Sequence, residues 1–213
     1  MNNKMGYFLI VLGLILAVWG IIIVSKPQQK KAINTEQPVK SKDTSKSIEK
    51  ENIKQDDFDE NKAKGDAFEK FVVKNFNQKY FTLQEWRSDK YVDGIYAVSN
   101  HFPDLEVIFN FKEKGVKEAF AIECKWRKNY FKNEIEWAKD YQIKNYKEYA
   151  DKLNIPVFVV IGVGGEPEKP NELFIVPLPK MKVNVITKSE LANYKKDLSE
   201  SRFFWEYEKN ILR

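Results

Sequence analysis

The 213-residue chain has one cysteine and one histidine. A lone Cys124 cannot close an intramolecular disulfide, so no covalent framework staples this fold. Its place in an apolar strand pattern reads as a small buried hydrophobe rather than a nucleophile. His101 alone excludes a multi-histidine zinc centre and reads as a loop residue. The cluster Gly162-Val163-Gly164-Gly165 is not followed by Gly-Lys-Ser/Thr, so it is a turn and not a phosphate loop. No internal repeat is present. Apolar residues (43%) and aromatic residues (14%) are plentiful, enough for one packed domain beyond the N-terminal region. The net charge of +5 admits an anionic partner without naming one.

The N-terminal region divides by composition. Residues 6–24 carry no charge. As a helix they would span about 28 Å, close to a bilayer's hydrocarbon core of roughly 30 Å. The run exceeds a signal-peptide h-region and no small-x-small cleavage pattern follows it, so a single-pass transmembrane anchor is expected. Lysines cluster after it, at Lys26, Lys30, Lys31, Lys40 and Lys42, which puts the following domain on the cytoplasmic side of the inner (plasma) membrane. Residues 25–60 are polar and nearly free of aromatics. They bury too little apolar area to offset chain entropy and read as a disordered tether. The first part, residues 26–50, holds seven lysines and three acids and suits either anionic lipid or a merely solvated linker.

A folded domain is expected over 61–180. Phe68, Phe71, Val72 and Phe76 recur at helical spacing within Lys64–Asn77, and Glu69 shares a flank with Val72, Val73 and Phe76. Tyr80–Trp86 reads as a strand. Residues 105–111 and 116–126 then read as a hairpin closed by Lys112-Glu113-Lys114-Gly115. Alternation puts Phe120, Ile122, Cys124 and Trp126 on one face, and Ala121, Glu123 and Lys125 on the other. Glu123 and Lys125 are about 7 Å apart along a strand rising about 3.3 Å per residue. Asp104, at the start of the partner strand, is brought toward them. Two carboxylates on rigid elements suit Mg²⁺, which keeps several waters and takes one or two carboxylates plus phosphate oxygens. Lys125 suits holding water or phosphate charge. The plainer alternative is a half-buried hairpin whose solvent face carries Glu and Lys.

Pro103-Asp104, eighteen residues, then Glu123-Cys124-Lys125 resembles the PD-(D/E)XK nuclease superfamily in its restriction-endonuclease-like and Holliday-junction-resolvase-like branches. The resemblance covers about residues 62–180. Asp93-Gly94 competes for the aspartate position, but the alternation after Asp104 favours Asp104. The resemblance implies an α/β/α core with a mixed sheet, and Mg²⁺ (or Mn²⁺) held by Asp104, Glu123 and the Cys124 carbonyl with help from Glu69. It also implies that Lys125 orients the attacking water and Gln142 holds the lysine or substrate. The products would carry 5′-phosphate and 3′-hydroxyl ends. Related nucleases pair as homodimers to cut two strands. The partner implied is nucleic acid, DNA ahead of RNA.

The run after Lys125 is basic and aromatic. Trp126, Arg127, Lys128, Tyr130 and Lys132 suit phosphates and splayed bases; a buried Trp126 beside a solvated loop is the plainer alternative. A helix is expected over Glu134–Leu153, with Ile135, Ala138, Gln142, Tyr146, Tyr149 and Leu153 in one stripe. Gln142-Ile143-Lys144-Asn145-Tyr146 resembles the Gln-x-x-x-Tyr element of the exonuclease branch and makes Tyr146 a substrate contact. Gln142 alternatively bonds backbone at the stripe's edge. Ile155–Gly162 reads as a buried strand after a crossover and Glu172–Leu178 as another. Residues 181–213 are expected to be a helical extension, with helices over Glu190–Leu198 and Phe203–Leu212 packed on the core. A non-cleaving nucleic-acid-binding module and an envelope adaptor are the alternatives to an enzyme.

Overall fold

The computed structural model describes residues 44–87, 91–92, 95–96, 101–200 and 202–213, with side chains described from residue 59 onward except at 88–100 and 201. The expected anchor at 6–24 and the competing Asp93-Gly94 lie outside these residues. Among the described residues, no helix is long and apolar enough to cross a membrane.

A long helix, α1 (Thr44–Lys74), precedes strand β1 (Phe81–Trp86). A two-residue pair, β2 (Tyr91–Val92) and β3 (Ile95–Tyr96), follows. The expected hairpin is present as β4 (Leu105–Phe111) and β5 (Val116–Arg127), paired antiparallel with Leu105 opposite Ile122. A 3-10 turn joins them and ends at Gly115, whose φ of 66° lies in the region that glycine enters without a Cβ clash. Next come β6 (Glu134–Glu136), α2 (Asp140–Leu153), β7 (Val157–Val163) and β8 (Glu172–Pro177). The chain ends with β9 (Val185–Thr187), the one-turn α3 (Lys188–Leu191), β10 (Lys195–Lys196), β11 (Trp205–Glu206) and β12 (Ile211–Leu212).

Six strands form one mixed sheet in the order β1-β4-β5-β7-β8-β10. Only β5 and β7 run parallel among its pairs, joined through α2 as a crossover requires. Both faces are covered, and the strands show it by sending alternate residues to opposite cores. Phe158 and Val160 of β7 join Phe68, Val72 and Phe76 of α1. Val157, Val159 and Ile161 join Ile143, Tyr146 and Tyr149 of α2. Each fully buried side chain of this size contributes roughly 1.5–3 kcal/mol of apolar burial. At Gly162 on β7, a Cβ would stand 2.4 Å from the Phe68 ring, so α1 meets the sheet where only glycine leaves room.

Three expectations are corrected. Helix α1 begins at Thr44, so the second part of the expected tether is helical. Farther along the same helix, the i,i+4 pairs Lys64–Glu60 and Lys62–Asp66 support it ahead of its apolar stripe. The helix expected over Glu134–Leu153 begins at Asp140, because Glu134–Glu136 pairs with β9. Residues 181–213 are not a helical extension. The strand β10 completes the main sheet, and β11 pairs with β12. Phe203, Trp205 and Leu212 belong to the core against α1, with the Trp205 ring stacked 4.6 Å from Phe120. No core boundary falls at residue 180, since Ile186 and Leu191 complete the core against α2.

Candidate metal-dependent catalytic site

The β4–β5 register places Asp104, one residue before the Leu105–Ile122 pair, beside Glu123 and Cys124. The Asp104 carboxylate accepts the Cys124 backbone N–H at 2.7 Å, which ties its side chain to the centre of β5. Glu123 is 1% exposed. Its Oε1 lies 2.5 Å from Lys125 Nζ and accepts the Tyr146 hydroxyl at 2.6 Å. Its Oε2 is buried and has no hydrogen-bond partner among the described residues. An unsatisfied carboxylate oxygen at such depth costs free energy that a bound cation would recover. Glu69 of α1 is buried, accepts the Trp86 indole N–H at 2.7 Å and lines the same cleft as Asp104.

The electrostatics follow from burial and crowding. Removal from water pushes the Asp104 carboxyl well above its ordinary range, and the neighbouring Glu123 and Glu69 carboxylates push it the same way against Lys125. Burial alone would lower the Lys125 ammonium, but the Glu123 and Asp104 carboxylates outweigh it and hold the ammonium above its ordinary value. Burial raises the Cys124 thiol, with Asp104 adding to it, so the thiol is no nucleophile. Three acids and one amine therefore share a neighbourhood with more negative charge than it can hold cheaply.

Among the described residues, no three Asp, Glu, His or Cys side chains converge closely enough to hold a metal ion by themselves. The set fits an ion that uses few protein ligands and retains water, as Mg²⁺ does. Asp104, Glu123 and the Cys124 carbonyl are its candidate holders, with Glu69 beyond them.

The cleft over this group has a volume of about 680 Å³. Lys125, Trp126, Arg127 and Lys128 line one side, and Asn61, Lys62, Lys64 and Asp66 of α1 line the other. The wall extends past the expected helix start at Lys64 to Asn61 and Lys62, because the sequence offers no apolar period before Phe68 to mark where the helix begins.

Several predicted roles move. Gln142 does not hold Lys125 through its amide oxygen, which accepts the Lys139 backbone N–H at 2.9 Å and caps α2. Tyr146 is 2% exposed and packs on Trp137. Its hydroxyl donates to Glu123 from inside the core. The basic-aromatic run also divides. Trp126, Arg127 and Lys128 line the cleft, whereas Tyr130 donates its hydroxyl to Glu172 at 3.0 Å and Lys132 lines a separate pocket with Lys188 and Lys195. That separation follows from the positive φ of Lys132 (50°) and Asn133 (63°), which turn the chain back into β6.

Sequence reading missed Arg87, Glu106 and Tyr149, which form a second buried polar group. Glu106 accepts the Tyr149 hydroxyl at 2.5 Å and Arg87 at 3.1 Å. One signal was available: an acid inside the apolar run Leu105–Phe111 requires a buried partner.

No protein-family model matches the chain, and no curated protein matches it either. Among solved structures it is similar to Hjc, a Holliday junction resolvase of the archaeal hyperthermophile Archaeoglobus fulgidus. The two share 14% sequence identity over 64% of this chain and 98% of that one, with a TM-score of 0.43. At that identity and score the similarity assigns no residue role and no activity.

Proposed function

We propose that this chain is a metal-dependent nuclease that hydrolyses phosphodiester bonds of nucleic acid. The observation that carries this reading is Glu123 Oε2, buried and without a hydrogen-bond partner among the described residues, beside Asp104, whose carboxyl is pushed above its ordinary range by burial and by the neighbouring carboxylates. Asp104, Glu123 and the Cys124 carbonyl would hold the cation, and Glu69 would add negative charge at its edge. A divalent cation at this place polarises a phosphodiester and makes a bound water more acidic.

The protein's own groups do the rest. Lys125 is positively charged and lines the cleft, where it can orient a water or steady charge growing on a phosphate. Tyr146 keeps Glu123 from turning away. Arg127, Lys128, Lys62 and Lys64 face the cleft from two sides and suit a phosphate backbone. Trp126 offers a ring to an unstacked base, although its indole N–H is engaged by the Gly164 carbonyl at 3.3 Å. Residues 6–24 would tether the domain to the inner membrane on its cytoplasmic side, a reading that protease protection in sealed vesicles tests.

The deciding experiment incubates the full chain with linear, circular and branched DNA and with RNA, in Mg²⁺ or in EDTA. Cleavage in Mg²⁺ that EDTA and Glu123→Ala both abolish supports a nuclease. Retention of nucleic acid without cleavage in any metal would instead leave a binding module.

A further inference from the structure

Arg87 stands one residue past β1, and its side chain is 14% exposed. Its backbone N–H donates to the Asp104 carbonyl at 2.8 Å. Its Nη1 donates to the Pro103 carbonyl at 3.1 Å. These carbonyls belong to the two peptide groups that flank the Asp104 Cα. Peptide groups are planar and stiff, so holding both restricts φ and ψ of Asp104 and aims its Cα–Cβ bond.

The guanidinium is itself pinned. Its Nη2 donates to Glu106 Oε2 at 3.1 Å and to the Tyr149 hydroxyl at 3.3 Å. The rings of Phe102 and Tyr149 lie 5.8 Å and 5.5 Å from its centre. A planar fork with several fixed donors can bridge a carbonyl, an acid and a hydroxyl together; a lysine ammonium at the end of a flexible stem cannot.

We propose that Arg87 is a positioning residue for the cation site, acting through the backbone of Asp104 with Glu106 and Tyr149 as its anchor. Its bearing on metal rests on the reading of Asp104 as a ligand. The loss of such supporting contacts lowers metal affinity about 10–100-fold in sites of known chemistry.

Cys124 makes a direct test available. It is the chain's single cysteine, so selective ¹⁵N-cysteine labelling gives one amide signal, from the N–H that the Asp104 carboxylate accepts. Three variants of the full chain are compared with wild type for that signal and for Mn²⁺ binding by titration calorimetry. Arg87→Lys is expected to move the signal, speed its hydrogen exchange and weaken Mn²⁺ binding about tenfold. Phe102→Leu, at a position 37% exposed and therefore tolerant, strips one ring from the guanidinium and moves the signal the same way by less. Leu191→Ala thins the core against α2 and serves as the destabilised control, expected to leave both readouts in place.

An Arg87→Lys signal superimposed on wild type overturns the proposal, as does an equal shift in Leu191→Ala. Wild type that binds no Mn²⁺ ends the metal reading of Asp104, and the Cys124 signal then decides the positioning role alone: movement in Arg87→Lys sustains it, and none ends it.

Discussion

Two buried glutamates on neighbouring strands are built alike and finished differently. Glu106 on β4 takes the hydroxyl of Tyr149, and Glu123 on β5 takes that of Tyr146. The tyrosines are three residues apart on α2 and so share one face of it. Each acid has a basic partner, Arg87 at 3.1 Å and Lys125 at 2.5 Å. At Glu106 the base packs against two rings, and among the described residues no buried side-chain atom there lacks a partner. At Glu123 the base opens onto a cleft, and one oxygen is left stranded. The same acid–tyrosine–base unit thus closes one node and leaves the other with a vacant direction. A closed node stabilises; an open one holds energy that a cation can release.

That contrast can be broken at either node. The largest effect is expected at the open one: Glu123→Gln should lower Mg²⁺-dependent cleavage at least about 10²–10³-fold in a nuclease assay. Its stability should fall by no more than about 1 kcal/mol, because Lys125 still opens onto the cleft and keeps the nearby Asp104 charge; breaking a closed buried pair typically costs 3–5 kcal/mol. Glu106→Gln should show that larger cost, about 3 kcal/mol in urea unfolding, since it strands the Arg87 charge. Equal stability losses at 106 and 123 would erase the distinction. Tyr146→Phe should be milder, costing about 1–2 kcal/mol of stability as Glu123 loses a donor, with cleavage down about tenfold because Glu123 is freer to turn.

The smallest effect is a gain. Asp104→Asn should raise the melting temperature of metal-free protein by about 2–4 °C per kcal/mol relieved, while cleavage is lost. The sign follows from linkage. Folding raises the Asp104 pKa, so the ionised form costs stability as pH climbs through that raised value and costs nothing below the ordinary carboxyl range near 3.8. The gain should therefore grow as pH rises above the ordinary carboxyl range and vanish toward pH 4. A gain that persists in acid would mean that the crowding of carboxylates is not its cause.

The hairpin and its acids were legible because strand alternation and a Gly-ended turn are local signals, and Asp104, Glu123 and Lys125 follow from them directly. Glu69 was read as inward from its helical phase, and its place at the site came from the family resemblance. Tyr146 was placed on the inward helix face, but its bond to Glu123 was not foreseen, because phase says which side is inward and not what lies there. Gln142 belonged to a helix start that depended on β6 pairing with β9, a contact between segments about fifty residues apart. Phe203–Leu212 carries aromatics in a run that suits a helix, yet Trp205 is drawn onto Phe120 and donates to Glu118 at 2.6 Å. Arg87 was invisible for the same reason: its partners come from Pro103, Asp104, Glu106 and Tyr149, and only the assembled fold collects them.

The close approach at Gly162 reaches further than packing. Phe68 presses into the space where any other residue would carry a methyl, and the very next residue along α1 is Glu69. The absent side chain thereby sets how deeply the helix docks, and with it the height of a carboxylate above the cleft floor. A single hydrogen in place of carbon on β7 calibrates the acid on another element.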